Sequence, residues 1–136
     1  MAQANAAAAF NKDGFELFNN RTYVFLGDGC MQEGVASEAA SMAGHLGLKN
    51  LIAFYDDNHI TIDGDTNCAF TEDVGKRFES YNWNVLTVKN GDEDLSALWD
   101  AIVKAQQEKE RPTLVCLQPT IGFGSVTYTQ HPHPTT

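Results

Sequence analysis

At 136 residues and 14.9 kDa the chain has room for one domain and hardly two, and its 43% hydrophobic content excludes disorder for want of apolar matter. Nine basic against eighteen acidic residues leave a formal charge of −9, so no cationic face is available for a nucleic acid or an anionic membrane. Three scattered cysteines, Cys30, Cys68 and Cys116, form neither a disulfide framework nor a zinc spacing and point to a reducing compartment.

In chain order, Ala2 to Phe10 reads as a helix on alanine propensity, with no capping residue before it and Asn11, Asp13 and Gly14 to stop it. This start has neither the basic region nor the apolar run of a secretory signal, and no stretch approaches about 18 apolar residues, so no membrane span and a cytoplasmic location are expected. Thr22 to Leu26 reads as a short strand buried on both faces. Gly27-Asp28-Gly29 then makes a sharp turn into a helix whose small residues Ala36, Ala39, Ala40 and Ala43 share a face, with Gly47 as its stop.

A second strand covers Leu51 to Tyr55 and runs out at Asp56-Asp57-Asn58. Thr71 is the expected N-cap of a third helix carrying Val74, Phe78 and Tyr81 on its apolar stripe. Val85 to Val88 is the third strand. A fourth helix is expected from about Leu95 to Glu110, with Leu95, Leu98, Trp99, Ile102 and Ala105 inward, and Thr113 to Leu117 is the last strand. This alternation predicts an α/β fold, a parallel sheet with helices on both faces. Residues 1–125 are expected to form the domain and residues 126–136, with His131 and His133 among prolines, an irregular tail.

In parallel α/β sheets ligands bind at the carboxyl ends of strands. Asp28 closes the first strand and Asn58 the second, about thirty positions later. A carboxylate and an amide oxygen on adjacent strand ends suit a hard cation, and magnesium takes such a small protein set together with phosphate oxygens. The same residues also read as a tight glycine turn and an Asx turn, and spacing alone leaves both readings open.

The residues around these positions resemble the transketolase family. They are TYVFLGDGCMQEG from Thr22 to Gly34, NLIAFYDDNHITIDG from Asn50 to Gly64, AFTEDVGKRFESYNWNV and RPTLVCLQPTIGFGS. The likeness is strongest to the fungal type and extends over Met1 to Ser125. It implies a thiamine diphosphate-binding fold, incomplete at both ends, and transfer of a two-carbon ketol unit from a ketose phosphate to an aldose phosphate in the pentose phosphate pathway. The implied metal ligands are Asp28, Asn58 and the backbone carbonyl of Ile60, holding Mg²⁺ (or Ca²⁺). Gly27, Gly29, Asn58, Ile62 and Glu33 are the implied cofactor-binding positions. Glu33 reads equally as a first-turn helix acid, and Ile62 equally as core. Of Asp56 and Asp57, Asp56 is the one expected to face the site.

The resemblance also implies sugar phosphate partners and a homodimer. It assigns no catalytic residue here, because the family's Gly-rich and His-bearing segments before this stretch, and its second domain, have no counterpart in the 136 residues. His131 and His133 fall out of register with the family's His-x-x-His-Gly element and take no role. The chain is therefore expected to be inactive alone. A dead module for cofactor binding or subunit pairing is the alternative, and dihydroxyacetone synthase is the alternative enzyme.

Overall fold

The computed structural model describes residues 1–62 and 64–125. The tail at 126–136, with His131 and His133, lies outside the described residues. Helix α1 covers Ala2–Phe10, followed by β1 (Thr22–Gly27), a single helical turn α2 (Asp28–Met31), α3 (Gly34–His45) and β2 (Leu51–Asp56). A small hairpin, β3 (Ile60–Thr61) with β4 (Gly64–Asp65), and a 3₁₀ turn at Thr66–Cys68 lead to α4 (Val74–Ser80), β5 (Asn84–Val88), α5 (Leu95–Gln107) and β6 (Thr113–Leu117).

The main sheet has the order β1-β2-β6-β5 and every pairing in it is parallel. Alternation along the two central strands sends side chains to both faces, which is why they are almost wholly apolar. Ala53, Tyr55, Leu114 and Cys116 join Met31, Ala40, Ala43, Val74, Phe78 and Trp83 beneath α3 and α4. Ile52, Phe54 and Val115 join Val88, Ala101 and Ala105 beneath α5. The expected parallel α/β sheet, covered on both faces, is what the chain forms.

Two helix ends position the sheet–helix layer by the same device. At Gly47 (φ 59°) and at Asn82 (φ 69°) the backbone turns left-handed. Leu48 N–H then donates to Ala43 O, and Trp83 N–H to Phe78 O, each at 3.1 Å. These are Schellman closures, and the second brings Trp83 edge-on to Phe78 with ring centroids 5.0 Å apart.

Four expectations are corrected. The strand at Thr22 to Leu26 is not buried on both faces. It forms the sheet edge, and α5 packs over β5 and β6 rather than over it. Phe25 stacks on Phe54 at 5.2 Å yet stays 79% exposed. The N-cap of α4 is Asp73, whose carboxylate accepts from Lys76 N–H at 2.9 Å, rather than Thr71.

Helix α5 ends at Gln107, short of Glu110, because Glu108 turns extended and its Oε1 accepts from the N–H groups of Lys109, Glu110 and Arg111. Its buried residues are Ala101 and Ala105, with Leu98 and Ile102 partly covered, whereas Leu95 and Trp99 are exposed. Alanine lets the helix axis approach the sheet, so the inward stripe is centred on small side chains rather than on the largest ones.

Candidate functional site

The site is built where β1 and β2 end. Gly27 is paired in register with Asp56, so Asp28 and the Asp57-Asn58 pair leave neighbouring strand ends on the same rim of the sheet. Gly27 is fully extended (φ −122°, ψ −175°), and the chain turns into α2 at Asp28 itself. The expected glycine turn is thus a strand passing directly into a helical turn. Neither Gly27 nor Gly29 has any other atom within 4 Å of where a Cβ would stand, so the space against this backbone is open.

Asp28 is 3% exposed, an uncommon place for a carboxylate. The Tyr55 hydroxyl donates to its Oδ1, while its buried Oδ2 has no hydrogen-bond partner among the described residues. An unpaired buried carboxylate oxygen is costly. The Tyr55 hydroxyl also lies 3.3 Å from Asp57 Oδ1. Burial first, then its hydrogen bond to Asp28, pushes the Tyr55 phenol far above its ordinary range, so the proton stays on the tyrosine.

Asp57 is held in turn by Gln118, whose amide donates to Oδ2 at 3.1 Å, and its own N–H donates to Leu117 O at 2.8 Å. His59 Nδ1 lies 3.4 Å from Asp57 Oδ1. Burial, and then the charges of Asp28, Asp57 and Asp92, raise the carboxyl of Asp56, against a hydrogen bond from Asn58 that lowers it.

Asn58 forms the Asx turn that its residue type allows. Its Oδ1 accepts from Ile60 N–H at 2.9 Å and its Nδ2 donates to Asp56 Oδ2 at 3.0 Å. An amide oxygen has two lone pairs, so this turn fixes the direction of Oδ1 and leaves one pair for a cation. His59 follows with φ 60°, a left-handed conformation rare for a side-chain-bearing residue, and its carbonyl accepts from Thr66 N–H at 3.0 Å. That reversal starts the β3–β4 hairpin, where Ile60 pairs with Asp65.

Ile62 at the hairpin is 100% exposed, which removes its reading as ordinary core. Glu33 is the exposed N-cap residue of α3, without a side-chain capping bond. His45 ends α3 on the surface.

A cavity of about 340 Å³ opens beside these groups, lined by Asp28, Tyr55, Asp57, His59, Cys116 and Gln118 together with the segment leading into α4. Asp57 lines this space, whereas Gly27, Gly29, Asp56, Asn58 and Ile60 lie outside its lining. Burial and the nearby carboxylates, Asp57 first, push the Cys116 thiol up to about 12, so it is an inert neutral wall. The described residues contain no group of three His, Cys, Asp or Glu side chains able to hold a metal by themselves.

Tyr55 is the member that sequence reasoning passed over, while Asp57 was weighed there only as the lesser of a strand-end pair. Tyr55 looks like any apolar strand residue, and the available signal was its hydroxyl, since a buried tyrosine seeks a partner for that group.

Comparison with known proteins places the chain. The transketolase thiamine diphosphate-binding domain family matches residues 1–134. Transketolase 1 of Saccharomyces cerevisiae is 61% identical over 126 residues, covering 93% of this chain and 18% of that protein. The Kluyveromyces lactis transketolase is 60% identical over 131 residues, 96% of this chain and 19% of its own length. A Pichia stipitis transketolase crystallised with sedoheptulose-7-phosphate superposes with a TM-score of 0.89 at 56% identity, over 93% of this chain and 19% of that one. The chain thus spans less than a fifth of the length of these relatives. It belongs to the transketolase family, within the thiamine diphosphate-binding domain.

Proposed function

We propose that these residues form the metal and diphosphate half of a transketolase cofactor site. Asp28 through Oδ2, Asn58 through Oδ1 and the carbonyl of Ile60 are the protein ligands of Mg²⁺ (or Ca²⁺). Gly27 and Gly29 offer backbone that a diphosphate can approach, Ile62 an apolar contact for the cofactor, and Glu33 a polar one. The observation that carries this reading is the buried Asp28 with its orphaned Oδ2. A cation there would satisfy the oxygen and offset the charge that an acidic chain presents to an anionic cofactor.

Thiamine diphosphate, when bound, supplies the carbanion chemistry of ketol transfer. The chain's own residues hold and orient: Tyr55 and Asn58 fix two oxygens, and the β3–β4 hairpin fixes the backbone after them. Ketose phosphates are the proposed donor substrates of the whole enzyme, on the strength of the sedoheptulose-7-phosphate and xylulose-5-phosphate complexes of Pichia stipitis transketolase, and aldose phosphates are the acceptors that the family reaction implies. Pairing of two copies and the pentose phosphate role belong to the same reading. Free Cys30, Cys68 and Cys116 support a reducing, cytoplasmic setting, and no helix among the described residues is long and apolar enough to cross a membrane. The domain boundary at 125 and a separate tail at 126–136 remain part of the proposal.

The 136 residues alone are proposed to be inactive, since they hold a half-site. Calorimetric titration of thiamine diphosphate with and without Mg²⁺ tests the reading. Metal-dependent binding supports it, and metal-independent or absent binding by the folded chain overturns it. Ketol transfer by the purified chain in a coupled assay should be undetectable, and turnover free of host enzyme would sink that part.

A further inference from the structure

We propose that Tyr55 is a positioning residue for the cation, occupying one oxygen of Asp28 so that the other alone is presented as a ligand. The inference rests on the reading of Asp28 as a metal ligand and adds to it a residue with no direct contact to the cation. Tyr55 is 3% exposed and its ring is packed in the core with Met31, Val74 and Cys116, so the direction of its hydroxyl is set by packing. That hydroxyl has a single proton. It goes to Asp28 Oδ1, with Asp57 Oδ1 a more distant second acceptor at 3.3 Å.

The terminal torsion of an aspartate is broad and roughly two-fold, so an untethered carboxylate presents either oxygen. With Oδ1 engaged, the carboxylate plane is fixed and Oδ2 is the buried atom left without a partner. Asp57 closes the arrangement from behind, since Gln118 holds its Oδ2 at 3.1 Å and keeps Oδ1 turned toward the tyrosine. Hydrogen-bond partners of this kind orient a ligand before the metal arrives, and their removal costs about 10–100-fold in metal affinity.

The discriminating quantity is the ratio of the thiamine diphosphate Kd measured without Mg²⁺ to that measured with it. Tyr55→Phe keeps the ring and removes only the donor. The expected result is a folded variant whose ratio is lower than that of the wild type by about tenfold, while metal-free binding is unchanged. A role confined to packing would weaken both measurements alike and leave the ratio intact. A folded Tyr55→Phe chain with an unchanged ratio overturns the inference while leaving the metal site standing. A wild-type ratio near one overturns the metal site, and the inference with it.

A measurement on the wild type stands even where the variant does not fold. Mg²⁺ with inorganic pyrophosphate draws electron density from Asp28 and should give a tyrosine difference band in the near ultraviolet. No band at saturating concentrations overturns the proposal.

Discussion

Gly44 on α3 and Tyr81 at the end of α4 approach so closely that a β-carbon on residue 44 would stand 1.7 Å from the Tyr81 carbonyl oxygen. The same approach lets Trp83 Nε1 donate to Ala40 O at 2.8 Å in the buried layer. Only glycine fits, because the obstacle is backbone and has no rotamer to yield. Gly44→Ala is expected to lower unfolding stability by about 3 kcal/mol or more, read from the urea midpoint. A loss below about 1 kcal/mol would mean that α3 and α4 slide apart freely.

Glu108 stops α5 by accepting from three successive N–H groups with one oxygen, the closest at 2.9 Å from Glu110. These donors hold its carboxyl below the ordinary value of 4.5. A carboxyl lowered on folding stabilises the fold fully above that ordinary value, and the contribution is lost as pH falls through the lowered one. Glu108→Gln should therefore cost about 1 kcal/mol at neutral pH, with the gap to wild type closing on acidification. Urea melts across the acid range check it. A gap that persists unchanged in strong acid would show that charge has no part in the turn.

The helices and strands were legible because apolar period and terminators agree: the strands at Leu51, Val85 and Thr113, and Gly47 as the stop of α3, needed no tertiary information. What sequence could not show was which strand lies at the edge. Thr22-Tyr23-Val24-Phe25-Leu26 is as apolar as β2, and its exposure follows from sheet order, a property of the whole chain. Likewise Leu95 and Trp99 looked inward by size, while the helix sits on Ala101 and Ala105. At the site, Asp28 and Asn58 stood out through motif and flank, but the tie between Asp28 and Tyr55 depends on a strand register that no local pattern encodes.

The exposed β1 face has a measurable consequence. Tyr23 and Phe25 stack on Phe54 with only the end of α5 reaching them, through Gln106 donating to the Tyr23 hydroxyl at 2.8 Å, and β1 has no second strand partner among the described residues. Such surfaces drive association. Phe25→Lys should lessen concentration-dependent association in sedimentation runs and cost about 1 kcal/mol, the value of one stacked pair. Loss of several kcal/mol would show that the ring seals the core from that side.

As the proposed metal ligand, Asp28 has binding and stability requirements that oppose each other. Its carboxylate is buried with one donor for two oxygens, so without a cation it is a net burden on the fold. Asp28→Asn keeps an oxygen for the Tyr55 hydroxyl and removes the buried charge. In the absence of cofactor and metal, the variant is expected to be at least as stable as wild type, by up to about 1 kcal/mol. Its thiamine diphosphate binding should lose all dependence on Mg²⁺. Urea unfolding of the metal-free chains and calorimetry of the same preparations measure the two effects separately. A variant less stable than wild type by more than about 1 kcal/mol would make the carboxylate a structural group, held in place for the core rather than for a cation.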